Sequence, residues 1–133
     1  MEKAGKGLEK APACAFCDAA LRHAGKKVGR YTSPHLNNIT ERIAIDGNPI
    51  CAQDFAATIQ RVAHAAQTCA LKYGPASPFE VLTATALLYF AQQRVDVAVI
   101  ETGLGGRLDP TRHVTAQVTG ITRIAKEHTA LLG

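Results

Sequence analysis

The segment ETGLGGRLDPTRH, from Glu101 to His113, combines residue types that commonly bind ligands. It follows VDVAVI, a run of β-branched and apolar residues that predicts a buried strand. Glu101 then stands at the carboxyl end of that strand, and the glycines after it allow the backbone to approach a ligand closely. Arg107 can bind an anion, and Asp109 can orient a base or a hydroxyl. A glycine-rich turn with a solvated salt bridge is the alternative interpretation of the same segment.

Polar side chains also follow two other predicted strands. Ser33 and His35 lie in TSPHL, directly after KKVGRY, and Glu127-His128 follows QVTGITRI. The carboxyl ends of parallel strands share one edge of a sheet, where ligands bind in open α/β folds. A hydroxyl, a carboxylate and an imidazole at that edge suit a magnesium ion that bridges phosphates. A turn opened by Ser33-Pro34 would explain TSPHL equally well.

The elements that must position these residues alternate between helices and strands. Ser77-Pro78-Phe79-Glu80 is a capping box with proline at the first helical position. Apolar residues at helical spacing, followed by glycine or proline, predict helices at 13–24, 54–73 and 78–92. Runs of apolar and alternating residues predict strands at 26–32, 41–45, 95–100 and 117–124. Continuous apolar strands between helices predict an α/β domain with a mainly parallel sheet that helices cover on both faces.

Length and composition limit the function classes. A chain of 133 residues with 47% apolar and 20% charged residues is typical of one globular domain. A net charge of +4 suits anionic ligands such as phosphates or polyglutamates, but 5% aromatic residues give few stacking platforms, so we expect no nucleic-acid partner. No apolar run is long enough for a bilayer, and MEKAGKGLEK has no apolar signal core, so we expect a cytoplasmic protein without a membrane partner.

The four cysteines give a weaker signal. Cys14 and Cys17 have the CxxC spacing of zinc sites, but the sequence has no second CxxC and no nearby histidine pair. Both lie in the alanine-rich helical pattern CAFCDAALRHAG. We therefore interpret both as small core residues rather than as a metal or redox site.

The ordered set KKVGRYTSPHL, TERIAIDGNPI, SPFEVLTATALLYFA, VDVAVIETGLGGRLDPT and HTALLG resembles the folylpolyglutamate synthase/dihydrofolate synthase family, a branch of the Mur ligase superfamily. The resemblance runs from Cys14 nearly to the last residue. It implies an incomplete three-layer domain similar to the central ATPase domain of that superfamily. It also implies an ATP-dependent ligase that adds L-glutamate to dihydropteroate or folate through an acyl phosphate, with ATP and Mg²⁺ as cofactors.

The resemblance assigns roles to single residues. Ser33, Glu101 and His128 match the positions of magnesium ligands in the family. The matching positions of the pteroate or folate pocket are Phe79, Glu80, Val81, Leu82, Leu108, Asp109 and Pro110. Glu80 has a second interpretation, because it is also the third-position glutamate of the capping box.

The first departure from the family falls in its phosphate-binding loop. The family has a loop of the type GTNGKGS, whereas the corresponding residues here, 7–13, read GLEKAPA. Only Lys10 stays in register as a phosphate ligand, and Pro12 removes a backbone donor. A slipped alignment on AGKG, residues 4–7, needs an insertion and still lacks Ser or Thr. We expect weak ATP binding, with residues 1–12 a degenerate, disordered phosphate-loop region and residues 13–133 a partial ATPase domain.

Two other loops differ, and further family segments are not matched. LDATN is replaced by LDPTR at 108–112, and TSIGLDH by TRIAKEH at 122–128. The chain matches neither the remaining strands of the ATPase domain nor the family's carboxyl-terminal domain. We therefore expect an inactive ligase-like chain that self-associates through exposed sheet edges. The alternatives are a non-catalytic folate- or nucleotide-binding module, or a truncated product without a function.

Overall fold

The computed structural model describes residues 10–122 as an α/β arrangement of three helices and a four-stranded sheet. Short 3₁₀ turns at Ile39–Arg42 and Pro110–His113 follow the ends of two strands. The main elements are α1 (Lys10–His23), β1 (Val28–Tyr31), β2 (Ile43–Ile45), β3 (Asn48–Pro49), α2 (Ala52–Tyr73), α3 (Pro78–Gln93) and β4 (Val97–Ile100).

The sheet has the strand order β3-β2-β1-β4. β1 pairs in parallel with β4, from Val28 opposite Val97 to Tyr31 opposite Ile100. The short strands β2 and β3 extend the sheet on the other side of β1 in antiparallel pairs. The longest ladder is therefore the parallel one, and it places the ends of β1 and β4 side by side.

Helices cover both faces of this sheet. Successive side chains of a strand point to opposite faces. Arg30 of β1 lies 3.8 Å from Asp18 of α1, whereas its neighbour Tyr31 lies against Thr83 of α3 with 3.2 Å between the two hydroxyl oxygens. α1 therefore packs on one face and α3 on the other, with α2 against α3. The predicted α/β class with helices on both faces is confirmed.

The apolar core lies between the sheet and α3. Its buried residues are Tyr31, Ile43, Ile50, Ala86, Tyr89 and Phe90, and Phe55, Phe79 and Ile100 pack against them. Burial of side chains of this size is worth roughly 1.5 to 3 kcal/mol each, so this cluster is the main source of stability that fixes α3 against β1.

The capping box predicted from the sequence is present at the start of α3. The Ser77 hydroxyl accepts from the Glu80 N–H at 3.2 Å, and the Glu80 carboxylate accepts from the Ser77 N–H at 2.7 Å. This capping box starts α3 at Pro78, the predicted residue. α2 begins at Ala52, two residues before the predicted start, because the Cys51 thiol accepts from the Asp54 N–H and serves as the N-cap.

Other element predictions also differ from the structure, among them the strand predicted at 95–100, which begins only at Val97. The strand predicted from Glu41 begins only at Ile43, because Glu41 closes a capping box with Asn38 and stays in a 3₁₀ turn. Residues 10–12, expected to be disordered, form the first turn of α1, while residues 1–9 lie outside the described part of the chain. Residues 117–122 of the predicted strand 117–124 form no strand, and residues 123 and 124 are not described.

The expectations about membrane spans and about exposed sheet edges are compared here with residues 10–122. None of the helices between residues 10 and 122 has the length and apolar character needed to cross a bilayer. Within the same range, the outer edges of β3 and β4 have no strand partner. Unpaired edges favour pairing with another chain, so self-association stays a prediction.

The close approach of β1 to α3 gives the first testable prediction. A Cβ atom on Gly29 would lie 2.7 Å from Cδ1 of the Phe90 ring, which is closer than packed carbon atoms approach. We expect Gly29→Ala to lower the free energy of unfolding by about 1 to 3 kcal/mol through overpacking. Urea denaturation monitored by circular dichroism measures the change.

Gly120→Ala is the matched control, because a Cβ atom there meets nothing within 4 Å. Its effect should stay within about 0.5 kcal/mol. An equal effect of the two substitutions would contradict the packing of Phe90 on Gly29.

Candidate functional site

The ends of β1 and β4 meet at one edge of the sheet and place Glu101 beside Ser33. The Glu101 N–H donates to the Tyr31 carbonyl at 2.9 Å, which extends the parallel ladder by one residue. The Ser33 N–H donates to Glu101 Oε2 at 3.0 Å. Two of the three predicted metal-site residues are therefore in direct contact, at the predicted edge.

The Glu101 carboxylate is buried, with 2% of the residue exposed. Its second oxygen, Oε1, is buried and has no hydrogen-bond partner among residues 10–122. Burial raises the pKa of Glu101 above its ordinary range, and the Ser33 N–H and the charges of Lys10 and Arg30 oppose that rise. An ionised buried oxygen without a partner is costly, and a bound cation would remove that cost.

Lys10 reaches the same edge from the first turn of α1. Its ammonium Nζ donates to the carbonyl oxygens of Thr102 at 2.9 Å and Gly103 at 3.1 Å. These are the two residues that directly follow Glu101. The one phosphate-loop residue that stays in register with the family is thus located at the predicted metal site.

The third predicted magnesium ligand, His128, lies outside the described residues. Within residues 10–122, no group of three or more His, Cys, Asp or Glu side chains is placed to hold a metal ion. The described part of the site therefore offers one carboxylate, Glu101, together with Ser33. The assignment of all three residues as ligands stays a prediction.

Asp109 organises the loop that follows Glu101. It is buried, and its Oδ2 accepts from the Leu104 N–H at 2.8 Å. Its Oδ1 accepts from the N–H of Thr111 at 2.9 Å and from the Thr111 hydroxyl at 2.6 Å. The Thr111 hydroxyl also lies 3.2 Å from that of Thr102. Both carboxylate oxygens are thus used within residues 102–111, where they hold the loop closed.

The ring of Phe79, a predicted substrate-pocket residue, packs closely on the backbone of Gly103. A Cβ atom on Gly103 would lie 2.5 Å from Cζ of Phe79 and 3.1 Å from Oδ2 of Asp109. The Phe79 ring also packs on Tyr31, with 6.1 Å between the ring centroids. Position 103 therefore accepts only glycine while the ring and the carboxylate keep these places.

The other predicted pocket residues are spread over several environments. Glu80 is exposed and caps α3, Leu82 is buried, and Val81 is half-buried. Leu108 is 71% exposed, and Pro110 starts the 3₁₀ turn that Asp109 caps. The structure thus brings Phe79 and Asp109 together at Gly103, while Glu80 and Leu108 face solvent.

Two arginine side chains near the site make contacts that were not predicted from the sequence. Arg30 lies between β1 and α1, 3.8 Å from Asp18, and its Nε is buried without a hydrogen-bond partner in the described residues. The Arg42 Nε donates to Nδ1 of His35 at 3.0 Å. A charged residue in the middle of the apolar strand VGRY was the available signal for Arg30. His35 accepts a hydrogen bond here, so its Nδ1 is not available as a metal ligand.

Cys14 lies on α1, within reach of the charge of Glu101. Burial raises the pKa of the Cys14 thiol to about 11, and the negative charge of Glu101 adds to that rise. All four cysteines are free thiols, and Cys17, Cys51 and Cys69 are exposed. A protonated, half-buried Cys14 is a poor nucleophile and a poor metal ligand, which fits its predicted role as a core residue. The same prediction is wrong for Cys17, which lies on the exposed side of α1.

Comparison with known proteins adds sequence and structural relatives. The chain is 40% identical over 121 residues to the dihydrofolate synthase/folylpolyglutamate synthase of Bacillus subtilis, covering 90% of this chain and 28% of the relative. Against the enzyme of the same name from Mycobacterium tuberculosis it is 44% identical over 124 residues, with 87% and 26% covered. E. coli FolC in complex with DHPP and ADP superposes with a TM-score of 0.84 at 38% identity, over 93% of this chain and 29% of that one. This chain is a homologue of the folylpolyglutamate synthase/dihydrofolate synthase family.

The relation to the synthase family concerns a segment of its members. The chain spans less than a third of the length of these relatives. A solved FPGS–AMPPCP complex gives a TM-score of 0.87 at 37% identity, over 93% of this chain and 31% of that one. No protein-family model matches the chain. The family resemblance and the Mur-ligase-like fold predicted from the sequence are confirmed.

The buried Glu101 carboxyl predicts a pH dependence of stability. Its pKa in the folded chain is raised by burial, so the folded state binds the proton more tightly than the unfolded state does. Its contribution to the free energy of unfolding is therefore greatest at low pH and is lost as pH rises through the interval between the ordinary and the raised pKa. Urea denaturation at several pH values from 4 to 8, on the chain and on Glu101→Gln, isolates this contribution.

Glu101→Gln removes the titration, so the loss over that interval should be absent and the variant should be more stable than the parent chain at neutral pH. If the two proteins kept a constant difference at every pH, Glu101 would not have a raised pKa.

The environment of Cys14 predicts slow alkylation. A thiol with a pKa of about 11 has roughly 0.1% thiolate at pH 8, against about a quarter for an ordinary thiol with a pKa near 8.5. We expect iodoacetamide to modify the exposed Cys51 and Cys69 at least about a hundredfold faster than Cys14, as read by peptide mass spectrometry. In 8 M urea the rates should converge, and fast labelling of Cys14 in the folded chain would contradict its burial.

Proposed function

We propose that this chain supplies the metal and phosphate edge, and part of the substrate pocket, of an ATP-dependent ligase that adds L-glutamate to dihydropteroate or folate through an acyl phosphate. The observation that carries this proposal is Glu101, a buried carboxylate at the junction of two parallel strands, one oxygen of which has no hydrogen-bond partner among residues 10–122. The family relation supports the choice of substrates.

Glu101 and Ser33 fit a hard divalent cation, because both offer oxygen atoms at one strand edge. The Ser33 N–H already orients Glu101 through Oε2, which leaves Oε1 for the ion. His128 completes the proposed set. Bound Mg²⁺ would supply charge neutralisation on the transferred phosphoryl group. The chain itself supplies a carboxylate that is buried and fixed in place before the ion binds.

Lys10 is the proposed phosphate ligand, and its surroundings explain why nucleotide binding should be weak. A glycine-rich nest offers several backbone N–H groups to a phosphate. Here Lys10 opens a helix, and Pro12 in that first turn has no N–H to give. The ammonium of Lys10 also makes two hydrogen bonds to protein carbonyls, which a phosphate would have to replace.

The residues of the proposed pteroate or folate pocket contribute in three ways. Phe79, Val81, Leu82, Leu108 and Pro110 offer apolar surface to an aromatic ring system. Asp109 shapes the pocket through the loop that it holds closed, since its oxygens are already bonded to Leu104 and Thr111. Glu80 contributes through the helix cap that fixes the start of α3.

A non-catalytic binding module is the second candidate. The observation that favours it is the engagement of Lys10 with Thr102 and Gly103, which removes its donors from the phosphate position. Such a module would bind Mg²⁺ or a folate without producing ADP. Ligand-induced thermal stabilisation without turnover would distinguish it from a ligase.

Metal binding and turnover test the proposal together. We expect Glu101→Gln to weaken Mn²⁺ binding at least about tenfold, because it removes the ionised ligand oxygen; loss of supporting residues alone costs 10- to 100-fold in metal sites. Electron paramagnetic resonance of free Mn²⁺ measures the affinity. With ATP, Mg²⁺, dihydropteroate and glutamate, the chain alone should release ADP no faster than a protein-free control.

Asp54→Asn is the control for the loss of one negative charge, since Asp54 lies in the first turn of α2, away from the junction of β1 and β4. It should leave Mn²⁺ affinity unchanged. Equal affinities of the parent chain and Glu101→Gln would refute the metal site, and rapid ADP release would refute the expected weakness of the phosphate region.

A further inference from the structure

The ammonium of Lys10 is held at two backbone carbonyls rather than at a carboxylate. Its Nζ lies 2.9 Å from the Thr102 oxygen and 3.1 Å from the Gly103 oxygen. Among the ion pairs within 4 Å that the described residues form, both involve Asp18 and neither involves Lys10. The positive charge is therefore fixed by the loop that leaves Glu101, and no carboxylate between residues 10 and 122 forms an ion pair with it.

The positive charge of Lys10 lies in a partly buried site, where it acts on the Glu101 carboxylate. Glu101 is buried, its Oε1 has no partner among the described residues, and the charge of Lys10 acts on it. Arg30 is the other cation that acts on Glu101, but it lies 3.8 Å from Asp18, a carboxylate that it shares with Arg22. Charges at such a site interact more strongly than charges in water.

We propose that Lys10 is a resident cation of the Glu101 edge, which keeps this edge closed to free divalent ions until a ligand draws the ammonium away. The inference rests on the proposed function of Glu101 as a metal ligand. It assigns Lys10 a positioning role in the ligand-free chain, in addition to its proposed contact with phosphate.

Two effects follow from the position of the ammonium. It repels a divalent ion that approaches Glu101 Oε1, and it keeps the Thr102 and Gly103 carbonyl oxygens occupied, which could otherwise serve as hard oxygen ligands. Both effects weaken the binding of a free divalent ion. An anionic ligand that attracts the ammonium would remove both effects at once, so the metal and the anion would favour each other's binding.

Mn²⁺ binding to lysine variants of the full chain tests this role. Lys10→Met removes the charge and both hydrogen bonds, and Lys10→Gln removes the charge but keeps a donor. We expect each variant to bind Mn²⁺ roughly tenfold more tightly than the parent chain does, since a fixed positive charge near the ion is gone. The measurement is made at pH 8 by electron paramagnetic resonance, because Lys10 also favours the ionised form of Glu101 and a high pH limits protonation.

Three controls accompany these variants. Lys26→Met removes one charge from an exposed residue that follows α1, and it should bind Mn²⁺ as the parent chain does. Lys10→Arg keeps the charge and should show no gain. The double variant Lys10→Met with Glu101→Gln should lose the gain, because the gain requires the carboxylate. Circular dichroism confirms folding, and Lys10→Gln carries the test if Lys10→Met does not fold.

The outcomes separate this inference from the proposed function. Tighter binding by both neutral variants, lost in the double variant, supports it. Affinities of Lys10→Met and Lys10→Gln equal to that of Lys26→Met, with Glu101→Gln weaker than the parent chain, would reject the resident cation and leave the metal site standing. If Glu101→Gln bound Mn²⁺ as the parent chain does, or if no variant bound it at millimolar concentration, both would be rejected.

Discussion

The parallel pairing of β1 with β4 is the constraint on which the rest of the site depends. The ladder ends with the hydrogen bond from the Glu101 N–H to the Tyr31 carbonyl. Glu101 directly follows β4, and Ser33 lies two residues after the end of β1, where its N–H donates to the Glu101 carboxylate. Strand side chains alternate between the two faces of a sheet. A shift of one residue in this register would therefore move the carboxylate to the opposite face, away from Lys10 and α1.

The two faces of the sheet differ in chemistry. The α3 face is apolar, with Phe90 against Gly29 and Tyr31 against Phe79. The α1 face holds charged groups, among them Asp18, Arg30 and Lys10, beside Glu101. Charges removed from water contribute little to stability even when they are paired. The α3 face thus stabilises the domain, and it allows the α1 face to carry a carboxylate whose solvation is incomplete.

The parts of the structure that local sequence determines were predictable. Ser77 and Glu80 fixed the start of α3, and VDVAVI placed Glu101 at a strand end, because caps and apolar runs act over a few residues. The contact of Lys10 with Thr102 spans 92 residues, and no local pattern encodes it. Likewise, the spacing of Asp109 and Thr111 did not show that both oxygens of Asp109 are used to close the loop. The helical start at Lys10 was missed because residues 7–13 were aligned with the family's phosphate-binding loop, although Pro12 is tolerated in the first helical turn.

The close contact of the Phe79 ring with Gly103 and Asp109 has a consequence for how this domain can vary. The ring lies where a methyl group at position 103 would have to be, so the two positions share a single volume. A side chain at 103 would require the Phe79 ring to move or a smaller residue to replace it, and it would also crowd Oδ2 of Asp109. The order of such exchanges is therefore restricted, and the two positions are expected to covary although they lie 24 positions apart in the chain. In engineering, they should be redesigned as one unit.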